Sequence, residues 1–111
     1  MAVTEQPLAI EVEELAERRA GPDAPVILDV REPHELAICR FPESLDIPMG
    51  SLPQRIDELP TDRPIVVVCR SGARSMRITQ WLRAHGRDDV SNLTGGVLAW
   101  SARIDPSWPT Y

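Results

Sequence analysis

Cys69 is the residue with the strongest chemical surroundings in this sequence. It stands between the apolar run Ile65-Val66-Val67-Val68 and the stretch Arg70-Ser71-Gly72-Ala73-Arg74-Ser75. The run follows Pro64 and is β-branched, the pattern of a strand covered on both faces. Met76 to His85 reads as a helix, with Met76, Thr79 and Leu82 on one face and Trp81 beside them. Cys69 therefore falls at the carboxyl end of a strand, where open α/β sheets place their ligand crevice. Gly72 permits a tight turn, and the small Ser71, Ala73 and Ser75 let backbone amides face inward as an anion-binding nest. The start of the following helix adds a partial positive charge, and Arg70 and Arg74 add two whole ones. Neighbours of this kind lower a cysteine pKa from about 8.5 to roughly 3.5–7.5. The expectation is a thiolate nucleophile in an anion cradle. The competing readings are a buried structural cysteine and arginines that are merely solvated helix-start charges.

The elements that must position this loop follow from periodicity and punctuation. Leu8-Ala9-Ile10 reads as a short edge strand and Glu11 to Arg19 as a helix stopped by Gly21-Pro22. Pro25 to Val30 is a strand with a buried Val26-Ile27-Leu28 run, and Asp29 and Arg31 end it on the same rim as Cys69. Glu32 to Ile38 reads as a short helix with Pro33 in its first turn. Ser44 to Ile47 is a short strand. Ser51 to Leu59 reads as a helix capped by Ser51, with Pro53 in its first turn. Val90 to Leu93 is the last strand, Gly95-Gly96 a turn, Val97 to Arg103 the last helix, and the tail with Pro106 and Pro109 extended. Strands alternating with helices through short links predict an α/β sandwich, a parallel sheet of about five strands with helices on both faces.

Bulk properties narrow the function classes. One domain over residues 1–111 is expected from the length. The net charge of −5 argues against nucleic acid as a partner. No apolar run approaches the ~18 residues of a membrane span, and Met1 to Pro7 lacks the apolar core of a secretory signal. Two cysteines without an export signal point to a reducing cytoplasm and to no disulfide framework. His34 and His85 with Cys39 and Cys69 have no zinc-ligand spacing, so no metal is expected. The eleven prolines fall between periodic segments and punctuate short connections.

Cys69-Arg70-Ser71-Gly72-Ala73-Arg74-Ser75 resembles the active-site loop of the rhodanese family of sulfurtransferases. Three further stretches agree, in family order: Leu28-Asp29-Val30-Arg31-Glu32-Pro33 with Glu35, then Ile47-Pro48, then Asn92-Leu93-Thr94-Gly95-Gly96 with Trp100. The ending from Ile104 to Tyr111 is similar to the rhodanese domain that ends the adenylyltransferase–sulfurtransferases of molybdopterin and thiamine biosynthesis. The resemblance implies a rhodanese-like fold and a thiosulfate sulfurtransferase-like activity. It also implies a ubiquitin-like sulfur-carrier protein or an adenylyltransferase as partner. Asp29, Arg31 and Glu35 become charged braces of the loop, with Asp29 and Glu35 both candidates to pair with Arg74, and Arg70 to contact the incoming anion. Gly95-Gly96 and Trp100 are read as turn and core. Trp108 either covers apolar surface near the tail or marks a partner face. The segment Arg40-Phe41-Pro42-Glu43-Ser44 departs from the usual Ile-Pro-Gly-Ala of the family.

A thiolate on a positive platform can exchange disulfides, cleave phosphoesters or move sulfur. Redox exchange wants a Cys-x-x-Cys pair, and Cys39 is the only other cysteine; it is read as a passive thiol, with a resolving role as the alternative. The related phosphatases place five residues between cysteine and arginine, whereas four separate Cys69 from Arg74 and Val68 replaces the preceding His. The expected activity is therefore transfer of sulfane sulfur from a small anion such as thiosulfate to cyanide, a thiol or a carrier protein, with no organic cofactor. The alternatives are a small cysteine phosphatase or arsenate reductase, and a non-catalytic anion- or peptide-binding module.

Overall fold

The computed structural model describes residues 5–111, so the reading of Met1 to Pro7 falls partly outside the described residues. Five strands, β1 (Ala9–Ile10), β2 (Val26–Asp29), β3 (Leu45–Asp46), β4 (Ile65–Val68) and β5 (Val90–Leu93), form one sheet in the order β1-β5-β4-β2-β3. Every pairing is parallel, and β4 pairs Ile27 with Val66 on one side and Ser91 with Val66 on the other. The strand that ends at Cys69 is thus the middle of the sheet.

Burial explains why β4 reads as a continuous apolar run. Ile65, Val67 and Cys69 point to one face with Leu28, Val30 and Val90. They are covered there by Leu52 and Leu59 and by Ile78 and Leu82 of helix α4 (Ala73–Ala84). Val66 and Val68 point to the other face with Ile27 and Leu93. Val12 and Leu15 of helix α1 (Val12–Arg19) cover them, with Val97 and Trp100 of helix α5 (Gly96–Arg103). Successive residues alternate sides, and both sides are dry. The α/β sandwich with helices on both faces is the observed architecture.

Several boundaries differ from the sequence reading. Helix α4 begins at Ala73, three residues before Met76, because Gly72 at φ 99° reverses the chain directly into the helix. Ala73, Arg74 and Ser75 are therefore loop and first helical turn at once. Ile78, not Met76, is the buried residue of its inner face. Helix α2 is the short turn Pro33–Leu36, with Glu32 and Glu35 forming a reciprocal capping box. The segment from Ser51 to Leu59 is not one helix. A 3-10 turn at Met49–Ser51, helix α3 (Leu52–Arg55) and a second 3-10 turn at Ile56–Glu58 replace it, and the Ser51 side chain caps nothing.

The tail is not extended at its start. Asp105 accepts from the amide and hydroxyl of Ser107 at 3.1 and 2.6 Å, closing a turn. Trp108 then packs on Phe41, ring centres 4.9 Å apart, and Phe41 meets Trp100 edge-on at 4.8 Å. The Ser101 hydroxyl donates to the Trp108 carbonyl at 2.8 Å. Trp108 covers apolar surface, and Phe41, in the segment that departs from the family pattern, is the fully buried post on which the tail leans. Replacing Phe41 by Ala should cost about 3–5 kcal/mol in denaturant unfolding. It should also shift the tryptophan emission to the red as Trp108 loses its support.

Candidate functional site: the Cys69 cradle

The loop after β4 is shaped from behind by α5. The first amides of that helix have no partner within it, and Val97 and Leu98 donate to the carbonyls of Cys69 and Arg70 at 3.0 and 3.1 Å. Gly96, at φ 57°, lets the backbones meet: a Cβ there would lie 2.3 Å from the Cys69 carbonyl oxygen. With those carbonyls drawn toward α5, two amides of the loop are free to turn the other way. Gly72 N–H and Ser75 N–H lie 3.1 and 3.4 Å from Cys69 Sγ, and Ser75 Oγ lies 3.2 Å from it. Three donors thus converge on one sulfur. Cys69 is 1% exposed, so the sulfur sits at the bottom of the cradle.

The Ser75 hydroxyl has a second partner, Asn92 Oδ1, at 2.5 Å. One hydroxyl proton cannot serve both acceptors at once. With a neutral thiol the hydroxyl donates to Asn92 and accepts S–H; with a thiolate it turns to the sulfur. Ser75 and Asn92 together form a hydroxyl relay that fits either state of Cys69.

The charged residues sort into two pairs. Arg74 does not reach the sulfur; its two terminal nitrogens donate to the two oxygens of Glu35, each at 2.7 Å. That pairing, against the cost of burial, holds the Glu35 carboxyl down to about 2, helped by the Glu32 amide and the Tyr111 phenol. Arg74 is raised in turn, first by Glu35, with the charges of Cys69 and Tyr111 adding to it. Asp29 takes the other arginine: Arg31 Nε and Nη2 bond its carboxylate at 2.9 and 2.8 Å, and both side chains are fully buried. Burial opposes the Arg31 charge, but the bonds to Asp29 and Tyr111 outweigh it and raise its pKa. Of the two candidates for Arg74, Glu35 is the partner and Asp29 is not.

Arg70 is exposed, and its guanidinium lies on Tyr111, with Nε 2.5 Å from the main-chain oxygen. Ser71 and Ala73 are exposed loop residues, and of the loop amides those of Gly72 and Ser75 are the ones at bonding distance from the sulfur. Both cysteines are free thiols. Cys39 packs with the cluster on the opposite face of the sheet from Cys69, with Arg31 Nη1 3.9 Å from its sulfur. Among the described residues no group of three or more His, Cys, Asp and Glu side chains is arranged to hold a metal.

Sequence reasoning missed Asn92, Tyr111 and the full role of Gly96. A polar residue on the buried α4-facing side of a central strand was the available signal for Asn92. Tyr111 had none, since its partners Glu35 and Arg70 lie 76 and 41 positions away. A cleft of about 690 Å³ lies elsewhere: Gly21, Pro22, Asp23 and Pro64 line it at the amino ends of β2 and β4. Cys69 and the donors aimed at it lie at the opposite rim, beyond the carboxyl end of β4.

The rhodanese-like domain family matches residues 11–103. A sulfurtransferase of Allochromatium vinosum is 40% identical over 92 residues, covering 83% of this chain and 86% of that protein. An adenylyltransferase and sulfurtransferase of Arabidopsis thaliana is 37% identical over 102 residues, and there the matched part is 22% of the relative's length. The crystal structure of a rhodanese-like domain protein from Staphylococcus aureus superposes with a TM-score of 0.80 at 28% identity, covering 95% of this chain and 99% of that one.

Two outcomes are expected from this geometry. Gly96→Ala drives a methyl into the Cys69 carbonyl, and its overpacking should cost at least about 2 kcal/mol in chemical unfolding. The Glu35 carboxyl is held below its ordinary value of 4.5, so its contribution is present above that pH and lost as pH falls toward 2. Acid unfolding between these limits should flatten in Glu35→Gln, by an amount on the order of 3 kcal/mol.

Proposed function

This chain belongs to the rhodanese-like domain family, and from that premise we propose that it is a sulfurtransferase whose carrier is a persulfide on Cys69. The observation that carries the reading is the convergence of Gly72 N–H, Ser75 N–H and the Ser75 hydroxyl on Cys69 Sγ. The thiolate attacks the outer sulfur of a donor such as thiosulfate. A new S–S bond forms at Cys69, the donor's own S–S bond breaks, and sulfite leaves with the electron pair. A second nucleophile then takes the outer sulfur and returns Cys69 as thiolate, which makes the reaction a two-step covalent exchange. The role of the amides is that of an oxyanion hole, since the charge they hold is a sulfur anion.

Arg70, at the mouth, is the residue for the incoming anion, and Ser71, Gly72, Ala73, Arg74 and Ser75 shape and line the seat. Asp29, Arg31 and Glu35 act as braces that hold the loop's cations in place, not as groups that move protons. The names of the similar proteins support sulfur transfer. The name of the Arabidopsis relative supports an adenylyltransferase as partner, and a sulfur-carrier protein is the acceptor that the sequence resemblance implies. A phosphatase reading is disfavoured by Arg74: both its terminal nitrogens are committed to Glu35 and do not bracket a phosphate over the sulfur.

Incubation with excess thiosulfate followed by intact-mass measurement should show one added sulfur on the wild type, none on Cys69→Ser, and loss of the added mass on exposure to cyanide. A wild type that gains no sulfur from thiosulfate or other sulfane donors refutes the proposal.

A further inference from the structure

Three arginines surround the cradle and its braces, and their partners differ in kind. Arg31 is paired with Asp29 and Arg74 with Glu35. Among the described residues Arg70 has no side-chain carboxylate against it; its Nε and Nη2 both donate to the main-chain oxygen of Tyr111. The Tyr111 ring lies under the same guanidinium, 5.2 Å from its centre. At the far end of the residue, the phenol donates to Glu35 Oε2 at 2.7 Å and accepts from Arg31 Nη1 at 3.0 Å. Burial raises the phenol's pKa, so it stays a donor. One residue thus reaches from the first position of the loop to the carboxylate that holds Arg74. Trp108, seated on Phe41, fixes the tail that delivers it.

We infer that Tyr111 determines specificity at this site: its main-chain oxygen fills the Arg70 guanidinium that an anionic sulfur donor must use, so donor and tail compete for Arg70. The identity of the donor rests on the sulfur-transfer reading; the competition does not. The Tyr111 oxygen takes the Nε and Nη2 edge of the guanidinium, and an anion that seeks the same edge competes with it for strong charge-assisted bonds. An anion therefore gains that edge of Arg70 only by lifting the tail, while a neutral reagent gains nothing from the exchange. Tyr111 acts through Arg70 and is a positioning residue.

Alkylation separates these cases. Iodoacetate and iodoacetamide react identically, an S–C bond forming at Cys69 as iodide leaves, but only iodoacetate carries a carboxylate. The ratio of their rate constants, with modification mapped to Cys69 by mass spectrometry, reads the cation at the mouth and not the mere accessibility of the thiol. Tyr111→Ala should raise the iodoacetate-to-iodoacetamide ratio about three- to tenfold, the effect of freeing one exposed cation. Both variants keep the main-chain oxygen, but Tyr111→Ala loses the ring and the phenol that hold it in place, whereas Tyr111→Phe loses only the phenol anchor and should raise the ratio less. Neither change should survive in an Arg70→Ala background. A ratio unmoved or lowered in both Tyr111 variants, or raised equally without Arg70, overturns the inference. An Arg70-dependent rise in a protein that takes up no sulfur from thiosulfate removes the sulfur-transfer reading and leaves the competition standing.

Discussion

The site depends on two backbone bonds that run away from it. Val97 and Leu98 at the start of α5 take the carbonyls of Cys69 and Arg70. A peptide unit is planar, so fixing the direction of a carbonyl fixes the amide on its other side. Drawing those oxygens toward α5 orients the chain that follows, and it lets the amides of Gly72 and Ser75 turn onto the sulfur. The helix gains partners for its unsatisfied first amides, and the loop gains a conformation it would not hold alone. Glycine is required on both sides of this contact: at 96 because any Cβ would strike the Cys69 carbonyl, and at 72 because the chain must turn at φ 99° with Gly95 N only 3.1 Å from where a Cβ would stand.

The cradle is thereby assembled from two strands and the helix between them. β4 supplies the sulfur, α4 the donors, and β5 the acceptor Asn92 that lets the Ser75 hydroxyl serve either state of the thiol. The braces form a separate layer. Glu35 caps its own short helix through the Glu32 amide and holds Arg74 with the same carboxylate, so the position of α2 and the charge at the loop are mechanically linked. Arg31 does the equivalent on the buried side, tying Asp29 at the end of β2 to the carbonyl of Cys39 at 2.7 Å. A single arginine fully removed from water is tolerable only because each of its polar groups finds a partner.

What was legible in the sequence follows this division. The central strand, the glycine turn and the cysteine between them are adjacent in the chain, and local pattern was enough to place them. The unbroken apolar run from Ile65 to Val68 made the two-sided sheet readable. Pairings were harder: Asp29 and Glu35 are both carboxylates far from Arg74 in the chain, and which one meets it is decided by how α2 leaves β2. The segment from Ser51 to Leu59 misled because Ser51 and Pro53 are good helix-start residues, while the run of side chains that must face Leu28 and Val30 breaks it into 3-10 turns. Asn92 carried a faint signal as a polar residue in a buried strand. Tyr111 carried none, because its role arises from a tail folding back along Trp108 and Phe41.

Charge accounting around the sulfur separates the cations that order the structure from the one left at the mouth. Two of the three arginines are neutralised by carboxylates that are themselves buried, so their charge orders the structure more than it attracts ligands. The field felt by a reagent at the mouth is then set by Arg70 and by the partial charges of two amides. Arg70 is itself tethered to the tail. A phosphate needs a cation free to wrap its oxygens, and none of these three is placed to do so over Cys69. A sulfur atom carrying one negative charge needs less, and convergent N–H groups at about hydrogen-bond distance can stabilise it without a full counter-charge. The same accounting makes the tail part of the site. Of these three arginines Arg70 alone has no side-chain carboxylate against it among the described residues, so whatever occupies it bears on how strongly the cradle attracts an anion.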